Sequence, residues 1–352
     1  MAEWENKVRK AVPYTPGEQP KENDIIKLNT NENPYPPSPA VKEALEELNY
    51  KDMRLYPAPD AAELVNAIAG EYGVKPEEVF VGVGSDDVLS VAFQTFFNSD
   101  EPILFPEITY SFYDVWADVY KIPYEAIPLN DDLTIDPEDY TLDNGGIVIA
   151  NPNAPTGIYM RPEAIEGIVK ANPGSVVIID EAYIDFGGIS VLPLIKKYDN
   201  LLVVQTFSKS RSMAGMRIGF AVGNAALIKY MNDVKFSVNS YTMSRAAIAA
   251  GTAAAKDTAY YKGTCAKIIK TRERAKNQLT RLGFTFPDSQ SNFLFIKHDT
   301  VEAKTIFEEL RKRKIYVRYW DSKPVLRDHL RVTVGTSTDM QKLFDALAEI
   351  LK

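Results

Sequence analysis

Cysteine and histidine are nearly missing from this 352-residue sequence, which holds one of the first, Cys265, and two of the second, His298 and His329. A lone thiol rules out an intramolecular disulfide and suits a reducing compartment. Without a partner, Cys265 reads as packed and inert, with no catalytic role. The two histidines are too few and too scattered for a metal cluster, so they read as surface or packing residues and no metal is expected. Positive charge is also short: 40 Lys and Arg stand against 48 Asp and Glu, a net charge of −8 and a pI of about 5.1. That balance argues against the basic stripe that a nucleic-acid or membrane-surface partner requires. No apolar run approaches the roughly 20 residues that span a bilayer. The opening MAEWENKVRKAVPY lacks the apolar core of a signal peptide. A cytoplasmic location is therefore expected.

What is present is an ordinary globular composition, 45% hydrophobic and 25% charged. The length exceeds that of a usual single core, which predicts one large and one smaller domain. Residues 1–37 are rich in Pro, Asn and charge and read as an extended arm. Within it, the cluster Asn29-Thr30-Asn31-Glu32-Asn33-Pro34 suggests a hydrogen-bonded loop beside something polar. Ser38-Pro39 signals a helix start. Asp60 with Glu63 reads as a capping box, and Gly73 as the stop of that second helix. From Val79 to Gly223, the short apolar runs VFVGV, PILF, GIVIA, SVVIID, LLVVQT and RIGFAVG alternate with helix-like segments. Such runs fit strands buried on both faces, and predict a doubly wound, mostly parallel α/β sheet in a large domain over residues 38–240. Residues 241–352 read as a smaller α+β domain: a helical stretch from SRAAIAAGTAAAK to Leu282, then NFLFIK, VEAKTIFEELRKR, YVRYW, LRVTVG and a last helix.

Ligands of open α/β sheets sit beyond the carboxyl ends of the strands, so the residues after each run are the candidates. VFVGVG leads into Ser85-Asp86-Asp87 and VLSVAFQTFF: a strand, a glycine turn, and a helix N-terminus whose free amides suit an anion. A well-capped helix explains the same residues, and two carboxylates beside an anion fit only if their side chains point elsewhere. GIVIA leads into Asn151-Pro152-Asn153-Ala154-Pro155-Thr156-Gly157, a stiff loop that holds an amide at the strand end, or simply a structural turn. SVVIID closes on Asp180, with Tyr183 just beyond. An acid ending a buried strand needs a partner, unless it caps the next helix. LLVVQT leads to Phe207-Ser208-Lys209, with Arg217 eight residues further on. Lysine near a buried strand end resists desolvation, and such lysines are often Schiff-base formers; an ion-paired structural lysine is the alternative.

NPNAPTG, DEAY and SKSRSMAGMRIG, in that order, resemble the signature of the fold-type I pyridoxal-phosphate aminotransferases, and the likeness extends over nearly the whole chain. LNTNENPYPPSP, GVGSDD and HLRVTVGT look like the histidinol-phosphate aminotransferase family in particular. The resemblance implies pyridoxal 5'-phosphate as cofactor, joined to the amine of Lys209, with Asp180 on the pyridine nitrogen and Tyr183 and Asn153 on the phenolic oxygen. It implies that Arg217, Ser208 and Thr206 hold the phosphate together with the amides near Ser85 and Asp86, and that Tyr110 stacks on the ring. Tyr56 would reach the phosphate in a neighbouring subunit, making the active form a homodimer. Arg331, Arg318 and Tyr14 would bind the substrates, since guanidinium groups fit phosphate and carboxylate alike. The implied reaction interconverts L-histidinol phosphate and 2-oxoglutarate with imidazole-acetol phosphate and L-glutamate, in histidine biosynthesis.

Three departures stand out. The residue directly before Pro-Thr-Gly, often Asn in aminotransferases, is Ala154, which moves the amide role to Asn153. Ser237-Val238-Asn239 replaces the family's Asn-Val-Asn, and Leu55 stands where an arginine usually precedes Tyr-Pro. Rival readings keep the fold and change the chemistry: an aromatic amino-acid aminotransferase, or an enzyme similar to threonine-phosphate decarboxylases. A non-catalytic regulator on the same fold is disfavoured by the intact Lys209, Asp180, Tyr183 and Arg217.

Overall fold

The computed structural model describes residues 2–321 and 324–352. The arm contributes β1 (Ile26–Leu28). The apolar runs form β2 (Val79–Gly82), β3 (Ile103–Pro106), β5 (Gly146–Ala150), β6 (Val177–Asp180), β7 (Leu201–Thr206) and β8 (Gly219–Gly223), with β4 (Tyr124–Ile127) between the second and third of them. These seven make one sheet in the order β2-β8-β7-β6-β5-β3-β4, parallel throughout except for β8. Sequence analysis missed β4 because it is an edge strand with three of its four residues exposed, so it carries no continuous apolar run.

Alternate residues of the central strands enter two different cores. Ile147, Ile149, Ile179 and Val203 face α1 (Pro39–Glu46), α2 (Ala62–Tyr72), α5 (Pro162–Ala171) and α7 (Arg245–Lys256). Val148, Ile178, Leu202 and Val204 face α3 (Ser85–Phe96), α4 (Tyr113–Tyr120) and α6 (Ala225–Val238). Burial on both faces is what the period-free apolar runs encode. The remaining core gathers α8 (Thr258–Arg281), α9 (Ala303–Lys312) and α10 (Ser337–Ile350) around β9 (Phe284–Thr285), β10 (Phe293–His298), β11 (Ile315–Val317) and β12 (Leu330–Thr333). β12, β10 and β9 pair antiparallel, while β1 pairs parallel with β11. An isolated bridge, Arg318 to Arg331, joins the two small sheets.

Two local expectations are corrected. Asp60 and Glu63 do not form a capping box: Ala61 is the N-cap, in left-handed conformation, and Asp60 Oδ1 accepts from the Ala62 amide at 3.2 Å. Glu63 then falls at the second helical position, too early to reach back. Gly73 does end α2, with φ +64°. The helical stretch to Leu282 is two helices, broken at Asp257, whose carboxylate accepts from the Ser38 hydroxyl at 2.5 Å and from the Tyr260 amide at 3.4 Å. α7 thus stays with the large sheet, and α8 begins on a capped turn.

Candidate active site

Because β2, β5, β6 and β7 run in the same direction, their carboxyl ends share one edge of the sheet. Ala150 pairs with Asp180, Asp180 with Val204, and both Thr206 and Gly82 with Gly219 at the start of β8. That edge holds a cavity of about 220 Å³ lined by Ser85, Asp86, Tyr110, Asp180, Tyr183, Ser208, Lys209 and Arg217. Eight predicted residues from five separate segments therefore meet at one place.

Lys209 Nζ donates to the Thr30 carbonyl at 3.3 Å and lies 5.7 Å from the centre of the Tyr183 ring. It makes no salt bridge with any described residue. Asp180 is buried at the end of β6, where its carboxylate accepts from the Tyr113 hydroxyl at 3.0 Å and the Ala182 amide at 3.2 Å. Burial outweighs these bonds and pushes its pKa up to about 6. The Tyr183 hydroxyl accepts from Asn31 Nδ2 at 3.0 Å.

The opposite end of the cavity gathers donors that suit an anion, with one carboxylate, that of Asp86, among them. Gly84 has φ +84°, and a Cβ there would stand 2.5 Å from Arg217 Nη2; a Cβ on Gly219 would stand 2.3 Å from the Ser85 nitrogen. At Gly219 only glycine lets the two backbones approach, and at Gly84 the positive φ favours glycine. α3 starts at Ser85, so the amides of its first turn have no acceptor within the helix. Thr206 Oγ1 lies 3.0 Å from Ser208 Oγ and accepts from the Ser208 amide. Asp87 turns away to accept from the Val83 amide at 2.8 Å. Asp86 does not: its carboxylate faces the cavity, accepting from Arg217 Nη2 at 3.0 Å and from the Tyr110 hydroxyl at 2.7 Å. The physical reason is the attraction of opposite charges: Arg217 pairs with no other carboxylate among the described residues.

Asn153 does not belong to this cavity. Its amide donates to the Ile108 carbonyl (2.9 Å) and Thr156 Oγ1 (3.1 Å) and accepts from Thr109 Oγ1 (2.9 Å), which commits it to its own loop and to the segment after β3. Ala154 is the residue of that loop that lines the cavity. The expected contact of Asn153 with a phenolic oxygen is therefore corrected: β5 ends so that residue 153 points into the loop and 154 outward.

A second cavity of about 320 Å³ adjoins the first, sharing Tyr110, Ala154 and Tyr183, and brings together Tyr14, Arg318 and Arg331. Tyr14 stacks on Phe112 at 4.3 Å. Arg318 donates to the carbonyls of Thr15 and Pro16, and Arg331 to that of Asn29. Arg331 Nε is buried without a partner, and neither guanidinium meets a carboxylate among the described residues. Burial pulls the pKa of Arg331 down. Two cations held beside Trp320, at 5.3 and 5.4 Å from its ring, form a site for an anion. Tyr56 lies outside both cavities, 78% exposed, with its ring stacked on Tyr241 at 4.5 Å.

Sequence reading foresaw a polar loop around Asn29–Asn33 but not its partners. Asn31 reaches Tyr183, Asn33 donates to the carbonyls of Lys209 and Ser210, and Thr30 and Asn29 meet Lys209 and Arg331. Tyr113 and Trp320 were missed altogether, since aromatic residues in apolar stretches carry no separate signal. His298 and His329 pack as expected, the latter stacked on Phe295 at 4.2 Å. No group of residues suited to a metal occurs among the described residues, and no described helix is long and apolar enough to cross a membrane.

The model of the family "Aminotransferase class I and II" matches residues 23–347. Curated relatives resemble the chain along its length. The histidinol-phosphate aminotransferase of Lactococcus lactis subsp. lactis is 49% identical over 349 residues, covering 99% of this chain and 97% of the relative. Histidinol-phosphate aminotransferase 1 of Hydrogenovibrio crunogenus is 50% identical over 349 residues, covering 99% and 98%. Among solved structures, the histidinol-phosphate aminotransferase of Clostridium acetobutylicum shares the fold with a TM-score of 0.86 at 23% identity, over 93% of this chain and 99% of that one. That of Sinorhizobium meliloti, in complex with pyridoxal-5'-phosphate, gives a TM-score of 0.84 at 24% identity, over 93% and 90%.

Proposed function

We propose, for a chain that belongs to the class I and II aminotransferases and within them to the histidinol-phosphate aminotransferase family, a pyridoxal-phosphate-dependent transamination. Glutamate donates the amino group and leaves as 2-oxoglutarate; imidazole-acetol phosphate receives it and leaves as L-histidinol phosphate, a step of histidine biosynthesis. The observation that carries this reading is the placement of Lys209, Asp180 and Arg217 in one cavity, beside two arginines that lack carboxylate partners.

The donor set fits the cofactor. An amine without an acid partner, a buried acid without a cation, and a glycine cradle under Arg217 match an aldehyde, a ring nitrogen and a phosphate in turn. When bound, pyridoxal phosphate supplies an aldehyde for the amine and a ring that draws electrons from the adjacent substrate carbon. Asp180 would keep a proton on the ring nitrogen, and the Tyr183 hydroxyl, oriented by Asn31, would hold the phenolic oxygen. Arg217, Ser208, Thr206 and the amides of Ser85 and Asp86 would hold the phosphate, and Tyr110 would cover the ring. Lys209 would hold the aldehyde, and its amine would serve as the general base and acid at the substrate carbon. Arg331 and Arg318 grip the substrate's phosphate or carboxylate, and Tyr14 with Trp320 excludes water.

A half-reaction screen tests this reading. Loaded enzyme mixed with histidinol phosphate should lose its Lys209-linked absorbance band and regain it with 2-oxoglutarate. Faster conversion with tyrosine or phenylalanine would move the assignment to aromatic amino acids, and carbon dioxide from threonine phosphate would move it to decarboxylation.

Asp180 gives a pH-dependent consequence. Its folded pKa, about 6, lies above the usual 3.8. The folded protein therefore binds the proton more tightly, and stability falls as pH rises between these values. Without cofactor, Asp180→Asn should stabilise the protein by about 1–3 kcal/mol above pH 6, the difference vanishing as pH falls toward 4. Thermal melts of cofactor-free protein at pH 5 and pH 7.5 check this; equal melting temperatures at pH 7.5 would contradict it.

A homodimer completes the proposal. Tyr50, Met53, Leu55 and Tyr56 are exposed along one short segment, Tyr56 is stacked on the exposed Tyr241, and Val238 is exposed at the end of α6, apolar surface that suits a second copy of the chain. Tyr56 from one copy would reach the phosphate in the other. Tyr56→Phe should weaken cofactor retention, and mixed dimers of Tyr56→Phe and Lys209→Ala subunits should recover activity in the site that has both residues. No recovery would count against a shared site. A cytoplasmic location accords with the single cysteine, which is buried with its pKa pushed up to about 12.

A further inference from the structure

We propose that Arg211 is a positioning residue for this reaction: from behind the cavity it locks the Lys209 loop to the Tyr183 loop and, through Tyr72 and Gln205, to the strand end that carries Asp180. The proposal rests on the roles assigned above to those three residues. Arg211 follows Lys209 by two residues, Asp185 follows Tyr183 by two, and Glu181 follows Asp180 directly.

The Arg211 side chain is 1% exposed and pairs with Glu71 at 2.6 Å and with Asp185 at 3.5 Å. Its guanidinium lies 4.7 Å from the centre of the Phe207 ring and 4.2 Å from that of Tyr261. It donates to the Tyr72 hydroxyl at 3.0 Å, which donates to Gln205 Oε1 at 2.7 Å; Gln205 Nε2 in turn donates to Glu181 Oε2 at 2.8 Å. Arg211 Nη2 serves both Glu71 and Tyr72, and from Tyr72 the chain runs in one direction to Glu181. Arg211, Glu71, Tyr72, Glu181, Asp185 and Gln205 line neither cavity.

Burying a guanidinium with carboxylates is costly, and apolar residues of the same volume commonly give equal stability. Burial also pushes the Glu181 pKa up to about 7. What a polar network adds is direction, because each bond fixes the angle between the segments it joins. Here the segments are the two that carry the amine and, together, the acid and the hydroxyl. A planar fork holds Glu71, Asp185 and Tyr72 together, which a lysine ammonium cannot do from the same backbone position.

The test uses the loaded enzyme and compares wild type with R211K and Y72F. It reads far-UV circular dichroism, kcat and KM for histidinol phosphate per bound cofactor, and the pH midpoint of the Lys209-linked absorbance band. R211K is expected to lower kcat by about 10–100-fold with KM within about threefold, as misplacement of reacting groups does. Its absorbance midpoint should move by at least about half a pH unit. Y72F, a milder break, is expected to move both readouts in the same direction by less. A folded R211K with the wild-type kcat and midpoint would overturn the proposal. So would an R211K that merely binds less cofactor and keeps its kcat per bound cofactor. Should R211K fail to fold, Y72F decides: unchanged kcat and midpoint would overturn it. A wild type without the band would overturn both this and the proposed function; an unchanged R211K beside a wild type with the band overturns the positioning role alone.

Discussion

Lys209→Ala is expected to lower kcat by about 10⁴-fold or more and to remove the cofactor absorbance band that depends on a covalent link. The prediction is clean because Lys209 is not part of the scaffold. Its Nζ makes one bond, to the Thr30 carbonyl, and pairs with no carboxylate, so truncation orphans no buried acid. Circular dichroism and melting temperature should stay near wild type, while phosphate contacts through Arg217 and the Ser85 turn continue to retain cofactor. A mutant that keeps the band, or a substantial part of the turnover, would show that another group does the chemistry.

Arg331→Lys is expected to raise KM for histidinol phosphate and for glutamate together, by about 10–100-fold each, the scale of a lost charged hydrogen bond. One amine of the Arg331 fork is committed to the Asn29 carbonyl and its Nε has no partner, so the fork is aimed and underused. Lysine keeps the charge and loses the paired geometry. Steady-state kinetics with each substrate varied separately checks this. A change for only one of them would mean that phosphate and carboxylate are held at different places.

Much of the site was legible because catalysis on an open α/β sheet draws on strand ends, and buried strands are easy to read as unbroken apolar runs. VIID and LLVVQT located Asp180 and Lys209 without any contact information. What could not be read was which way a loop residue points. Asn153 and Ala154 are neighbours, and the sequence alone does not tell which of them faces the cavity. An anion beside Ser85 required Asp86 and Asp87 to point elsewhere; Asp87 does, but Asp86 faces the cavity and pairs with Arg217. β4 was hidden because an edge strand need not be apolar. The partners of Asn31 lie 152, 261 and 302 residues away, at Tyr183, Asn292 and Thr333, and no local pattern reports contacts at that separation. Arg211 was passed over for a related reason: beside Lys209 it looks like one more basic residue, and only its burial between Glu71 and Asp185 distinguishes it.

The most direct measurement is reduction of the loaded protein with borohydride, followed by peptide mapping by mass spectrometry. The phosphopyridoxyl mass is expected on the peptide bearing Lys209, at about one per chain, and on no other lysine. An unmodified Lys209, with the label elsewhere or absent, would contradict the assignment of this cavity as the seat of the reaction.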